Sequence, residues 1–122
     1  MRSQVVELPW PPKGLSPNAR VHWAVRHRLA KAYRETCRVL VKQAGLTASG
    51  EGRLMLDMEF VPPDRRLRDD DNMIGAFKYA RDGLAAAMGI DDHRFIAQFR
   101  VAEAPVKGGA VRVQIREVDE QA

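Results

Sequence analysis

The chain has 122 residues, of which 45% are hydrophobic and 30% charged, and its net charge is +4. This length suits a single domain, so we predict one domain over residues 1–122. No apolar stretch approaches the roughly 18 residues of a membrane-spanning helix, the N-terminal apolar run is too short for a signal peptide, and the single Cys37 excludes an intrachain disulfide. We therefore expect a cytoplasmic protein without a membrane partner.

The first half of the chain predicts a strand, a loop and a long helix. The apolar run at residues 5–8 ends at a proline-rich segment, as a strand does. Apolar side chains then recur at helical spacing from about residue 22 to 44, and Gly45 suits the helix end. We interpret Trp23 and Tyr33 as core anchors rather than base-stacking platforms. The opposite helix face is either a solvated surface or a contact for DNA phosphates, and it carries His27, Lys31, Arg34, Arg38 and Lys42.

The second half predicts three strands and a second helix. Residues 53–61 alternate as a strand with one buried face does, and residues 72–88 have apolar positions at helical spacing. Residues 95–101 and 111–118 alternate again, and the Lys107-Gly108-Gly109 sequence between them predicts a hairpin. The order β-α-β-α-β-β implies an α+β fold with two layers, a mixed sheet covered on one face by two helices.

Aspartates are concentrated in one stretch of this cationic chain. Between Asp64 and Arg94 there are seven aspartates and no glutamate. Crowded carboxylates repel one another unless a cation compensates them. In an extended segment Asp69 and Asp71 point to the same side, which would set two oxygen ligands by local geometry. Such ligands suit Mg²⁺ or Mn²⁺, whereas Zn²⁺ prefers His or Cys.

Further polar residues follow on the second helix and beyond it. Lys78 and Asp82 lie seven and eleven residues after Asp71, on one polar stripe away from the core stripe. Asp91 and Asp92 follow the helix, and we expect the chain there to fold back toward the first aspartates. The alternative is that aspartates at a helix start only cap it. An EF-hand calcium loop is excluded by its missing glycine and final glutamate.

Positive charge is concentrated elsewhere. Residues 1–50 contain nine Lys/Arg and two Glu, a charge of +7, so the remaining residues carry +4 − 7 = −3. A positive surface of this kind is expected of a nucleic-acid binder. Arg65, Arg66 and Arg68 precede the aspartates and could hold DNA phosphates. Residue types and spacing thus indicate metal-dependent phosphodiester chemistry, with a basic protein surface that binds no polyanion as the alternative.

Several short motifs together resemble the RusA family of Holliday junction resolvases, over nearly the whole chain and in the same order. The most specific is the Asp-x-Asp-Asn motif with its downstream aspartate pair. The motifs are LPWPP, Ser16-Pro17-Asn18, PPDRRLRDDDN, Lys78, Asp82-Gly83-Leu84, Asp91-Asp92 and KGG.

The resemblance implies a small homodimeric, Mg²⁺-dependent endodeoxyribonuclease, often encoded by prophages, that cuts four-way DNA junctions by paired symmetric incisions. Motif matching assigns the catalytic and metal-binding aspartates to Asp69, Asp71 and Asp92, with Asp91 as the alternative to Asp92. The family's essential lysine corresponds to Lys78, although the usual spacing would place it at Gly75; both positions share a helix face. A non-catalytic junction-binding module and a nuclease for other branched nucleic acids remain alternatives.

Overall fold

The computed structural model describes residues 3–118, and the DEQA end, expected to fray, lies outside them. The major elements are β1 (Ser3–Pro9), α1 (Trp23–Ala44), β2 (Leu54–Val61), α2 (Asp70–Met88), β3 (Phe95–Val101) and β4 (Ala110–Glu117). Short 3-10 helices at Lys13–Leu15 and Asp92–Arg94 precede α1 and β3. The predicted α+β class and element order are confirmed. Neither α1 nor α2, nor any other helix in residues 3–118, is long and apolar enough to cross a membrane.

The strands form one mixed sheet in the order β1-β4-β2-β3. Strand β4 is antiparallel to both β1 and β2, and β3 is parallel to β2 at the edge. The predicted hairpin between β3 and β4 is therefore wrong. Val111, Val113 and Ile115 of β4 are fully buried, as befits a central strand, whereas Phe99 of β3 is 43% exposed. This difference in burial matches the central position of β4 and the edge position of β3.

The two faces of the sheet differ as the alternation of β2 predicts. Leu56 and Phe60 of β2 are completely buried on the face that packs against the helices. The opposite face carries ion pairs, among them Arg112 with Glu7 at 3.6 Å and with Glu59 at 3.3 Å. Exposed pairs of this kind contribute about 1 kcal/mol at most. The fold is therefore stabilised mainly by the apolar layer between sheet and helices.

Two predictions about α1 have different outcomes. Tyr33 is a core residue, as predicted, and its hydroxyl donates to the Pro9 carbonyl at 2.7 Å. Cys37 is a fully buried apolar residue, and burial raises the pKa of its thiol to about 12. The interpretation of Trp23 as a core anchor is wrong, because 75% of this residue is exposed. The fully buried residues of α1 begin only at Tyr33, and the first α1 residues that pack against the core are Leu29 and Ala30, so Trp23 lies beyond it.

The helices α1 and α2 pack closely against each other at Gly83. A Cβ atom placed on Gly83 would lie 2.4 Å from the backbone oxygen of Arg34 and 3.2 Å from the backbone nitrogen of Arg38. Backbone atoms cannot rotate away as the end of a side chain can. The absence of a side chain at position 83 therefore sets the distance between the helices.

We expect Gly83→Ala to lower the free energy of unfolding. Overpacking costs about 1–3 kcal/mol, which exceeds the gain of up to about 1 kcal/mol in helix propensity. Thermal and urea unfolding would measure the difference. Ala86→Ser also adds one heavy atom to α2, at an exposed position, and should change stability by about 0.5 kcal/mol or less. An unchanged or higher melting temperature for Gly83→Ala would contradict the close packing.

Candidate active site at the start of α2

The start of α2 presents three consecutive carboxylates. Asp69 is the N-cap, and its side chain accepts a hydrogen bond from the Asp71 backbone N–H at 2.9 Å. Asp70 and Asp71 form the first turn, and all three residues are exposed. The helix thus begins two residues earlier than predicted, and the premise of an extended segment at Asp69–Asp71 is wrong. The cap, rather than strand alternation, fixes the backbone of Asp71 beside the Asp69 carboxylate.

The capping alternative accounts for part of this cluster. A carboxylate at the N-cap satisfies a free backbone N–H, and acidic residues in the first turn interact favourably with the helix dipole. Asp69 fills the cap position. Asp70 and Asp71 exceed what the cap requires, and their side chains point toward solvent without a described hydrogen bond.

Arginines close in sequence do not neutralise these carboxylates. Among residues 3–118, the ion pairs include none to Asp69, Asp70 or Asp71. Asp64 instead binds Arg68 at 2.7 Å and Arg66 at 3.4 Å. The backbone N–H of Arg66, followed by the Arg68 guanidinium, lowers the pKa of Asp64.

The arginines of the preceding loop have different environments. The Arg68 side chain is 20% exposed, donates to the Asp64 and Arg66 carbonyls, and lies 5.6 Å from the centre of the Trp10 ring. It therefore holds the loop in place. Arg65 and Arg66 are exposed. Of the three arginines predicted to bind phosphates, these two are therefore more accessible to DNA than Arg68. Leu67, between Arg66 and Arg68, is 99% exposed.

A cleft of about 280 Å³ opens beside the carboxylates. Its walls come from the segment after β1, the 3-10 helix that follows, and the first turns of α2. They include Trp10, Lys13, Ser16, Asp69 and Asn72. The cleft combines a cation, a carboxylate and an aromatic ring, and is open to solvent. Trp10 is a site residue for which no role was predicted; its place in the LPWPP motif is the one signal that pointed to it.

Asp91 and Asp92 lie beyond the other end of α2, after its C-cap Gly89. Arg81, in the C-terminal half of α2, donates to the Asp92 carbonyl, so the expected return of this segment to the first aspartates does not occur within one chain. Within residues 3–118 no group of three or more His, Cys, Asp or Glu side chains could hold a metal ion. A single chain brings Asp69 and Asp71 together and leaves Asp92 apart.

The two members of this pair have different surroundings. The Asp91 carboxylate accepts from the His93 backbone N–H at 3.0 Å and lies 2.8 Å from His93 Nδ1. The backbone hydrogen bond, followed by the contact with the His93 side chain, lowers the pKa of Asp91. Asp92 is exposed. Arg81 donates to the Asp92 carbonyl at 3.4 Å and lies 5.8 Å from the Phe95 ring centre, so this arginine belongs to the Asp92 end of α2.

Lys78 lies on the predicted polar stripe of α2. Asp71, Lys78 and Asp82 are all exposed. Lys78 is seven residues beyond Asp71, about 10 Å along the helix axis, and its Nζ lies 5.1 Å from the centre of the Tyr79 ring. It forms no salt bridge with Asp82 among those of residues 3–118. The ammonium therefore remains available to a ligand.

The cationic row on α1 is partly paired. Lys31 and Arg34 are exposed. Arg38 binds Glu35 at 2.6 Å, which lowers the pKa of Glu35. Lys31 and Arg34 are therefore the freer cations of the three predicted to bind DNA.

Comparison with known proteins identifies full-length relatives, although no family model matches. An uncharacterized protein of Xylella fastidiosa is 45% identical over 98% of this chain and 80% of its own length. The crossover junction endodeoxyribonuclease RusA of Escherichia coli K12 is 33% identical over 97% of this chain and 98% of its own. The RusA of Escherichia coli O139:H28 is 31% identical over 99% and 100%. Because the matches extend over nearly the whole of both chains, this protein belongs to the RusA family of crossover junction endodeoxyribonucleases.

Proposed function

We propose that this protein is a Mg²⁺-dependent endodeoxyribonuclease that resolves Holliday junctions by paired symmetric incisions. The full-length similarity to RusA carries the proposal. The carboxylates at the start of α2 support it, because no ion pair within residues 3–118 engages them and they follow exposed arginines that could hold the phosphates of DNA. Such a surface would bind the polyanion and still present oxygen ligands to a divalent cation.

The donor set suits a hard cation. Asp69 and Asp71 offer carboxylate oxygens that no arginine or lysine of residues 3–118 engages in an ion pair, and the three consecutive residues Asp69–Asp71 include no His or Cys. These are the ligands that Mg²⁺ and Mn²⁺ prefer. When bound, the metal would polarise the scissile phosphate and lower the pKa of a bound water.

The third carboxylate would come from a second subunit. Asp92 follows the far end of α2, and no group of three or more possible ligands occurs within residues 3–118, so one chain would supply only part of a three-aspartate site. A twofold dimer with antiparallel α2 helices would bring the partner subunit's Asp92 to the start of α2 and create two equivalent sites. Two such sites match the two equivalent strands cut in a four-way junction.

The edge strand β3 offers a surface for this homodimer. Phe99 and Val101 lie in register with the buried Met58 and Phe60, on the core side of the sheet. They nevertheless remain 43% and 39% exposed. A second copy packed on β3 would remove these apolar side chains from water.

The remaining side chains would bind and orient the DNA. Arg65 and Arg66, with Lys31 and Arg34 on α1, would contact flanking phosphates. Lys78 would place an ammonium near the scissile phosphate, where its interaction with developing negative charge would be strongest in the transition state.

A cleavage assay would test the proposal. It would compare a synthetic four-way junction with linear duplex, single strand and a three-way branch, each in Mg²⁺ and in EDTA. We expect paired nicks in the junction alone, and only with the metal. Asp71→Asn should bind the junction but not cut it, because it removes one ligand charge and preserves the shape of the side chain. Binding without any nicking by the wild type would favour the non-catalytic module. Equal cutting of the three-way branch would favour a broader branched substrate.

Mixing two inactive variants would test the composite site. Asp71→Asn and Asp92→Asn should each be inactive as homodimers. In a mixed dimer, the Asp71 of one subunit and the Asp92 of the other are both intact at one of the two sites, so co-refolding should restore nicking of one strand. Two copies of the same variant provide the control. Sites contained within single chains would predict no recovery.

Lys78→Ala should slow single-turnover cleavage by about 10² to 10³, the effect typical of a lost transition-state charge contact, while junction affinity and melting temperature change little. Lys42→Ala removes the same charge from an exposed position near the end of α1 and should leave the rate unchanged. A loss of less than about threefold for Lys78→Ala, far below that contribution, would remove this lysine from the site.

A further inference from the structure

The N-terminal turn of α1 carries an exposed tryptophan, within a stretch of the chain whose charged residues are all cations. Trp23 is 75% exposed, although tryptophan is highly buried on average. No Asp or Glu occurs between Glu7 and Glu35. The same stretch contains Lys13, Arg20, Arg26, Arg28, Lys31 and Arg34. A ligand for this surface would combine an aromatic face with negative charge.

Neighbouring residues hold the backbone of Trp23 in place. His22 is the helix N-cap, and its Nδ1 accepts from the Ala24 N–H at 3.1 Å. The His22 and Trp23 rings lie 5.6 Å apart at 31°. Arg26 ties the preceding loop to the helix by donating to the Ser16 and Ala19 carbonyls at 3.2 and 2.9 Å. The indole is thus exposed on an ordered support, which reduces the entropic cost of binding.

This surface lies at the same end of the molecule as the aspartates. A Cβ on Gly75 of α2 would lie 2.6 Å from Pro17 Cγ, so the loop before α1 packs on the second turn of α2. Lys13 and Ser16 of the same region share the cleft wall with Asp69. DNA held at the start of α2 would therefore pass close to the start of α1.

We propose that Trp23 stacks on an unpaired nucleobase at the crossover of the bound junction, and so helps to distinguish branched DNA from duplex. Within a continuous duplex both faces of each base are covered by its neighbours, whereas a base at a crossover can present a free face. Aromatic side chains among cations bind such bases by stacking, with phosphates held by the surrounding charges. This inference rests on the proposed function, since it assumes junction DNA as the ligand.

Binding measured in EDTA tests this inference without cleavage of the DNA. Equilibrium affinity would be measured for a junction with 2-aminopurine at the crossover and for a matched duplex. Trp23→Leu should weaken junction binding about 5- to 150-fold, the range expected for the loss of one stacking contact. It should also abolish the quenching of 2-aminopurine fluorescence that the wild type causes on binding. Trp23→Phe should keep most of both. Duplex affinity should change by less than about threefold, since both faces of each base in a duplex are already stacked and Trp23 would make no contact there.

A salt titration provides the matched control. Lys31→Ala should reduce the slope of log affinity against log salt concentration by about 0.9, as expected for one lost phosphate contact. Trp23→Leu should leave the slope unchanged, because stacking releases no counterions.

Three results would overturn the inference. The first is an unchanged junction affinity for Trp23→Leu, and the second is an equal loss of affinity for junction and duplex. The third is a monomeric Trp23→Leu variant in light scattering, beside a dimeric wild type, which would make Trp23 a subunit contact. Failure of the wild type to nick the junction would instead overturn the proposed nuclease and leave this binding test valid.

Discussion

The packing of Phe60 connects the core to the site. Its buried ring makes edge contacts with Trp10 at 6.1 Å, with Phe77 of α2 at 5.5 Å and with Phe99 at 6.4 Å. Trp10 in turn supports the Arg68 guanidinium, which binds Asp64 and fixes the loop that leads into α2. The position of the aspartates thus depends on an aromatic cluster formed by β2, β3, α2 and the segment after β1.

Charge is arranged so that no ion pair within residues 3–118 engages the carboxylates at the start of α2. Asp64 engages Arg66 and Arg68, the nearest cations in sequence that could have neutralised the three aspartates. The dipole at the start of α2 partly compensates the remaining negative charge without an ion pair. This arrangement keeps oxygen ligands available in a protein of net charge +4, and it is compatible with our proposal that a divalent cation and DNA phosphates meet there.

Helix α2 acts as a spacer between two groups of acidic residues. Its 19 residues stand between the two groups, and its close contact with α1 at Gly83 limits how far it can shift. A symmetric second copy is the simplest way to join them, which links the proposed chemistry to the proposed dimer.

The sequence by itself determined the elements, their order and most core positions, because helical and alternating periodicity are local properties. It also placed Lys78 and Asp82 on a polar stripe of α2 and Tyr33 in the core, as the structure has them. Pairing was decided only by the tertiary structure: β4 lies between β1 and β2 because its apolar side chains need cover on the helix side, which no turn motif encodes. The same holds for Asp92, whose distance from Asp69 depends on the path after α2, and for Trp23, whose exposure follows from where the core ends along α1.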